Sequence, residues 1–294
     1  MIPTSTTAPA RGGFSELVDW GVLKVSGDDA GHFLQGQATT DVLALASGTL
    51  GCGAFCTPKG RVVANFRIAR ADDGYRLLLA AELAEPLRER LQRYVLRARV
   101  TLENLTGPAR VWGFFGGNTS LPAGLGWPLS DGSDRHLAIL AADQSPPGEP
   151  LPADAWRLAD IEAGFARILP ATGEEFLPQM LNLDRMGGIG FSKGCYTGQE
   201  IVTRTHYLGQ LKRRLFRFRV EGCECLPPGA PILDTAGDEP RSAGQVVNAC
   251  PAPAGGSIGL AVIALEFAGQ PGLRLADAEG APVRLEPLVD DDRP

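Results

Sequence analysis

No run of about 18 uninterrupted apolar residues occurs in this 294-residue chain, so no membrane-spanning helix is expected. The first ten residues lack a basic region and an apolar core. They read as a frayed tail rather than a secretory signal. Basic residues are in deficit, with 28 Lys and Arg against 34 Asp and Glu, and the net charge is −6. A general nucleic-acid binder carries a basic footprint, whereas this chain has only local basic clusters. No direct nucleic-acid contact is therefore expected. Histidine is scarce (His32, His136 and His206), and none of the six cysteines forms a CxxC pair. Cys52 and Cys56 lie four apart, Cys223 and Cys225 two apart, and Cys195 and Cys250 stand alone. The usual ligand spacing of a structural zinc site is missing, so no metal is expected. In a cytoplasmic chain of this size the cysteines read as free thiols.

The length and a 44% hydrophobic content allow about two domains, each burying its own core. Leu23 to Val25 reads as a strand, and Ser26 to Asp29 as a turn leading into a helix over Ala30 to Leu34. Gly51 to Thr57 reads as a Gly/Cys-rich connector. Arg61 to Arg70 and Tyr75 to Leu79, joined through Asp72-Asp73-Gly74, read as a hairpin. Leu83, Leu87 and Leu91 recur at helical spacing with charges between them, and Pro86 is placed in the first turn. Val100 to Leu105 returns as a strand. Residues 116–154 are loop-rich around a short strand near His136, and 165–195 run through loops.

Beyond residue 210 the texture changes. Leu211 to Val220 alternates basic and apolar side chains, a strand with one charged face expected to be solvated. Short strands separated by Gly- and Pro-rich turns follow, as in a small antiparallel barrel or sandwich. The acidic Asp290-Asp291-Asp292 is expected to be solvated. The fold class read from this order is α+β, with a domain boundary at 209/210.

The densest chemistry lies in Lys193-Gly194-Cys195-Tyr196-Thr197-Gly198-Gln199-Glu200. Thr197 and Glu200 have capping-box spacing ahead of Ile201 and Val202. A helix starting there would point its positive end toward Cys195, and Lys193 would add a charge. Both favour thiolate. From the residues alone, the segment is either a reactive-thiol or anion site, or a glycine-rich connector with a small hydrophobe.

The same string resembles the signature of YgfZ-type folate-binding proteins, relatives of the glycine-cleavage aminomethyltransferase (T protein). Further matches follow in order along nearly the whole chain. They are Asp19-Trp20-Gly21, Phe33 to Val42, Thr57-Pro58-Lys59-Gly60-Arg61, Ile161 to Gly164, and Phe176 to Gln179. The resemblance implies an aminomethyltransferase-like folate-binding domain over 1–209 and a small C-terminal antiparallel β-barrel over 210–294. It implies tetrahydrofolate or a one-carbon derivative as cofactor, and client iron–sulfur proteins, including a tRNA-modifying radical enzyme, as partners. Glu162 would accept the two hydrogen bonds of the pterin edge. Trp20 would stack on the ring or on the aminobenzoyl group, as it would also suit a core position. Gln179 would supply amide bonds, and Tyr196 would contact the cofactor. Lys59 and Arg61 suit the glutamate tail and equally suit solvated turn charges. Cys195 would be the working thiol beside the cofactor, activated by Lys193. The transferase relatives carry an aspartate where this chain reads Val63-Ala64-Asn65-Phe66-Arg67. That difference argues against aminomethyl transfer, and leaves a transferase with altered catalytic residues as the alternative.

Overall fold

The computed structural model describes residues 12–116, 126–223, 226–275, 280–286 and 288. The N-terminal tail, Cys225 and the aspartates at 290–292 lie outside them. The chain opens with β1 (Gly13–Glu16), β2 (Trp20–Ser26), α1 (Ala30–Gln35), β3 (Leu50–Cys56), β4 (Val62–Ala71) and β5 (Gly74–Ala80). Next come α2 (Ala81–Gln92), β6 (Thr101–Asn104), β7 (Ala109–Phe115), β8 (Gly126–Pro128), β9 (Arg135–Ala141) and α3 (Ala153–Glu162). Two short 3-10 turns (Pro170–Thr172 and Pro178–Leu181) precede α4 (Gln199–Tyr207). The last strands are β10 (Arg213–Val220), β11 (Pro231–Asp234), β12 (Arg241–Pro251), β13 (Ser257–Ala264), β14 (Leu273–Leu275) and β15 (Val283–Glu286).

Three antiparallel sheets result, ordered β3-β4-β5-β2-β6, β1-β7-β9-β8 and β14-β11-β12-β13-β10-β15. The five-stranded sheet is buried on both faces, because its side chains alternate. Leu77 and Leu79 of β5 meet Leu87 and Leu91 of α2, while Leu78 faces Val111, Trp127 and Leu137 of the second sheet. Burying each such leucine contributes roughly 1.5–3 kcal/mol. The apolar stripe of α2 thus forms as expected, but Pro86 sits in the second turn rather than the first. Packing of the stripe holds the helix despite the missing N–H.

The stretch Gly51 to Cys56 is strand β3, not a connector. Its glycines are steric: a Cβ on Gly53 would stand 2.9 Å from Thr40 and 3.1 Å from Phe66. Close backbone approach, not a turn, requires that residue there.

The C-terminal six-stranded sheet curls into a half-barrel. A bridge between Arg274 and Pro282 brings its two edge strands together. Strand β13 is wholly buried, with Ala261 and Ile263 inside the curl. Its Ile258, Leu260 and Val262 face outward, into a core shared with Ala54, Val62 and Val202. A bulge in β12 between Val246 and Asn248 serves both cores. Val246 points into the curl and Val247 into the shared core. On β10, Arg217 and Arg219 are not simply solvated, because both guanidinium groups bond Glu286 of β15, at 2.8 and 2.7 Å. No helix among the described residues is long and apolar enough to cross a membrane.

Candidate functional site

A cavity of about 730 Å³ opens where the start of β3, β4, the 129–132 turn, the end of α3 and residues 185–187 meet. That volume lies in the range that holds a drug-sized ligand. Glu162, the last residue of α3, stands half-buried on its wall. Its carboxylate makes no hydrogen bond or ion pair among the described residues. Burial raises its pKa, and Arg217, Arg219 and Arg135 partly offset that. The wall thus offers a carboxylate with open acceptor sites, suited to a planar ligand edge that donates two hydrogen bonds.

A buried charge network that the sequence pattern did not reveal runs into this wall, where its Arg67 and Asp131 line the cavity. Arg67 of β4 forks onto Asp160 at 2.9 and 3.2 Å, and Arg135 of β9 bonds Asp160 at 2.8 Å and Asp131 at 2.5 Å. The Arg67 guanidinium lies 3.9 Å over the Phe165 ring. Phe165 also lines the cavity and is the aromatic face it presents, with Cys52 and Met186 as its sulfur groups. A signal was available in the alternation of β4, where Arg67 falls on a buried position between Phe66 and Ile68. The partner Asp160 is 93 residues away and is found only by folding.

Trp20 does not line this cavity. It lies beyond Phe165, stacked on that ring at 6.4 Å, and lines a recess of about 20 Å³ with Asp19, Arg157 and Arg167. Burial raises the Asp19 pKa, but Arg167 and Arg157 outweigh it and bring it to about 2. Gln179 is also elsewhere: its amide donates to the Val202 carbonyl at 2.6 Å and ties the second 3-10 turn to α4. Lys59 is exposed on the β3–β4 turn, and Arg61 donates to the Glu175 carbonyl. Asn65, within the stretch where the resemblance would place the transferase aspartate, is buried. Its amide donates to the Ala166 carbonyl at 2.6 Å, and its oxygen accepts the Ile168 N–H at 2.8 Å.

The cysteine box packs against the β3–β4 turn, so two motifs separated by more than a hundred residues form one unit. Its pivot is Gly198, the N-cap of α4, at φ 85°. A Cβ there would stand 2.5 Å from the Thr57 carbonyl oxygen and 3.1 Å from Cys56 Cβ. The expected capping box does not form: Gly198, not Thr197, is the N-cap, and no side chain caps α4. Lys193 is also not aimed at a thiolate. Its ammonium donates to the carbonyls of Gln35, Ala38 and Thr40 at 2.6, 2.6 and 3.0 Å, and lies 4.8 Å over the Tyr196 ring. Burial pushes its pKa down to about 8, with Asp41 opposing. The buried Tyr196 hydroxyl has no partner among the described residues, and burial, then Cys56, pushes its pKa up.

Cys195 is exposed and off the cavity wall. The cavity touches β3 at Cys52 and the box touches it at Cys56, a span of about 13 Å along a strand. Of the residues singled out from sequence, the structure brings Glu162 to the cavity and groups Lys193, Cys195 and Tyr196 at the far end of β3, beside the Lys59 turn. Cys52, Cys56 and Cys250 are thiols whose pKa burial raises to about 11, 12 and 12. No group of three His, Cys, Asp or Glu side chains suited to a metal ion occurs among the described residues.

No family model matches the chain. Over 92% of this chain and 90% of the relative, it is 32% identical to the tRNA-modifying protein YgfZ of Edwardsiella ictaluri. Over 89% of this chain and 86% of the relative, it is 31% identical to the protein of that name from Photobacterium profundum. The crystal structure of glycine cleavage system aminomethyltransferase T from Bartonella henselae matches 95% of this chain and 86% of its own, with TM-score 0.71. Sequence identity there is 14%, so that likeness establishes a common fold.

Proposed function

The chain belongs to the YgfZ family, and from that premise we propose that it is a cytoplasmic tetrahydrofolate-binding protein that supports tRNA modification. In this reading tetrahydrofolate, or a one-carbon derivative, occupies the 730 Å³ cavity. The protein serves tRNA modification by assembling or repairing iron–sulfur clusters in client enzymes. The observation that carries the cofactor is the unpartnered Glu162 carboxylate on the cavity wall. A pterin presents an amino group and a ring N–H side by side, and one carboxylate can accept both. Phe165 supplies an aromatic contact for the ring.

The box at the far end of β3 is a second centre, with the exposed Cys195 as its working thiol. Lys193 is a positioning residue, since its ammonium ties the box to the turn after α1. Residues 1–209 form the cofactor domain and 210–294 the barrel domain that backs it. The bonding of Asn65 disfavours the transferase alternative, because both ends of its amide are committed to the 166–168 backbone.

Titration with tetrahydrofolate, followed by tryptophan fluorescence, tests the cofactor. Saturable quenching is expected, weakened roughly tenfold to a hundredfold in Glu162→Gln, the loss of one charge-assisted bond. No saturation into the millimolar range would refute the folate reading. For the second centre, cells relying on Cys195→Ala should lose cluster-enzyme activity. If Cys195→Ala and Lys193→Ala both retain it, the thiol has no such role.

A further inference from the structure

Between Glu200 and Glu221 the chain has no acidic residue, while Arg204, Lys212, Arg213, Arg214, Arg217 and Arg219 fall within that interval. Three of these cations are neutralised within the fold. Arg214 forks onto Asp184, and Arg217 and Arg219 bind Glu286. Arg204, Lys212 and Arg213 are exposed and have no acidic partner among the described residues. A helix C-terminus attracts cations by its dipole, which accounts for Arg204 in the last turn of α4. It does not account for the aromatic groups beside them.

His206 lies flat on Phe191, with ring centroids 3.8 Å apart and planes 16° apart. Tyr207 stands edge-on to both, at 4.7 and 6.2 Å, and remains 65% exposed. Leu208 beside it is 85% exposed. In a chain with net charge −6, a fixed aromatic stack with an open tyrosine face and three unpaired cations is a local departure from the average surface. A base stacks on an aromatic face while cations follow the phosphates, and that pairing marks single-stranded nucleic-acid sites. An acidic peptide would satisfy the cations but would make no use of the ring.

We infer that the exposed aromatic–cation surface at the C-terminal end of α4, built on Tyr207, His206 and Phe191 with Arg204, Lys212 and Arg213, binds unpaired RNA. This goes beyond the cofactor reading and reverses the expectation, drawn from overall charge, that the chain avoids nucleic acid. The chain-wide deficit of basic residues averages away three cations that fall within the ten residues 204–213. Phe191 is four residues from Cys195, so the thiol lies within about 14 Å of the stack along the chain.

The test is fluorescence anisotropy with a short labelled single-stranded RNA, at about 50 and about 200 mM salt. Wild type should bind, and more weakly at the higher salt. Tyr207→Ala should lose roughly tenfold to a hundredfold, and Tyr207→Phe should retain binding because the face remains. Neutralising Lys212 and Arg213 together should lower the salt slope by about 1.4. Tyr207 is exposed, so its variants fold, and circular dichroism checks this. Absence of RNA binding at low salt, or equal binding by Tyr207→Ala, overturns the inference. Displacement of the RNA by an equal charge of polyglutamate at similar affinity also overturns it, and assigns the surface to an acidic protein. Tetrahydrofolate binding is scored separately on the same variants. Tyr207→Ala should leave it intact, and Glu162→Gln should leave RNA binding intact.

Discussion

Replacing Asn65 by aspartate would put an acid into the Val63–Arg67 stretch, which has none, and the structure fixes what that costs. Asn65 is 3% exposed. The variant keeps the bond from the Ile168 N–H, but sets a carboxylate oxygen against the Ala166 carbonyl, 2.6 Å from the former donor. Leaving that carbonyl unsatisfied costs about 1–3 kcal/mol before any charge is counted. Burying the charge adds to this, and the side chain escapes by taking up a proton and donating again. An unfolded aspartate titrates near 3.9, so holding that proton at pH 7 costs about 4 kcal/mol, at 1.36 kcal/mol per pH unit. Protonation therefore sets a ceiling. The expected destabilisation is about 2–4 kcal/mol at pH 7, falling to about 1.5 kcal/mol or less at pH 5. The sign follows from proton uptake: the folded pKa is raised above the unfolded one, so stability is lost as pH rises between them. Urea unfolding, followed by tryptophan fluorescence across this pH range, measures the difference between variant and wild type. A difference that is flat with pH, or below about 1 kcal/mol at pH 7, refutes the account of Asn65. No aminomethyl transfer should appear in the variant.

Gly198→Ala should destabilise the fold by more than about 2 kcal/mol, because the residue is left-handed and its new Cβ meets the Thr57 carbonyl. Thermal melts detect this, and an unchanged midpoint contradicts the proposed lock between turn and box. Asp160→Asn leaves two buried guanidinium groups without their shared carboxylate, and should cost about 3–5 kcal/mol in urea unfolding. Brief alkylation of the folded protein at pH 8 should label exposed Cys195 ahead of the buried Cys56 and Cys250, whose pKa burial raises to about 12. Mass mapping gives the order, and early labelling of Cys56 would contradict its burial. Burial raises the Glu162 pKa, and its carboxylate form is the acceptor, so tetrahydrofolate binding should weaken on acidification sooner than an ordinary carboxylate at 4.5 would dictate. A binding constant unchanged on acidification through and below 4.5 would remove Glu162 from recognition.

Elements with a strong local period were legible in the sequence. The α2 stripe, the β4–β5 hairpin and the short C-terminal strands follow from alternation and turn residues, and their ranges agree with expectation to a few residues. Strand β3 was hidden because Gly51 and Gly53 look like turn residues locally. Their cause is a neighbour that the local pattern does not contain: Leu45 and Ile68 beside Gly51, Thr40 and Phe66 beside Gly53. The basic face of β10 was misread for the same reason, since Glu286 lies about seventy residues away.

The sequence alone determined the motifs, the absence of an acid from the stretch Val63–Arg67, and the family. These are properties of residue identity and order, and survive without coordinates. Tertiary structure decided which of those residues share a place. Glu162 reached the cavity because α3 ends there, backed by a buried charge network of Arg67, Asp160 and Arg135. Trp20 fell behind Phe165, and Cys195 went with Lys193 to the opposite end of β3. A motif fixes which chemistry is present, but distance is set by packing between segments far apart in the chain. Spacing along the sequence carries no measure of it.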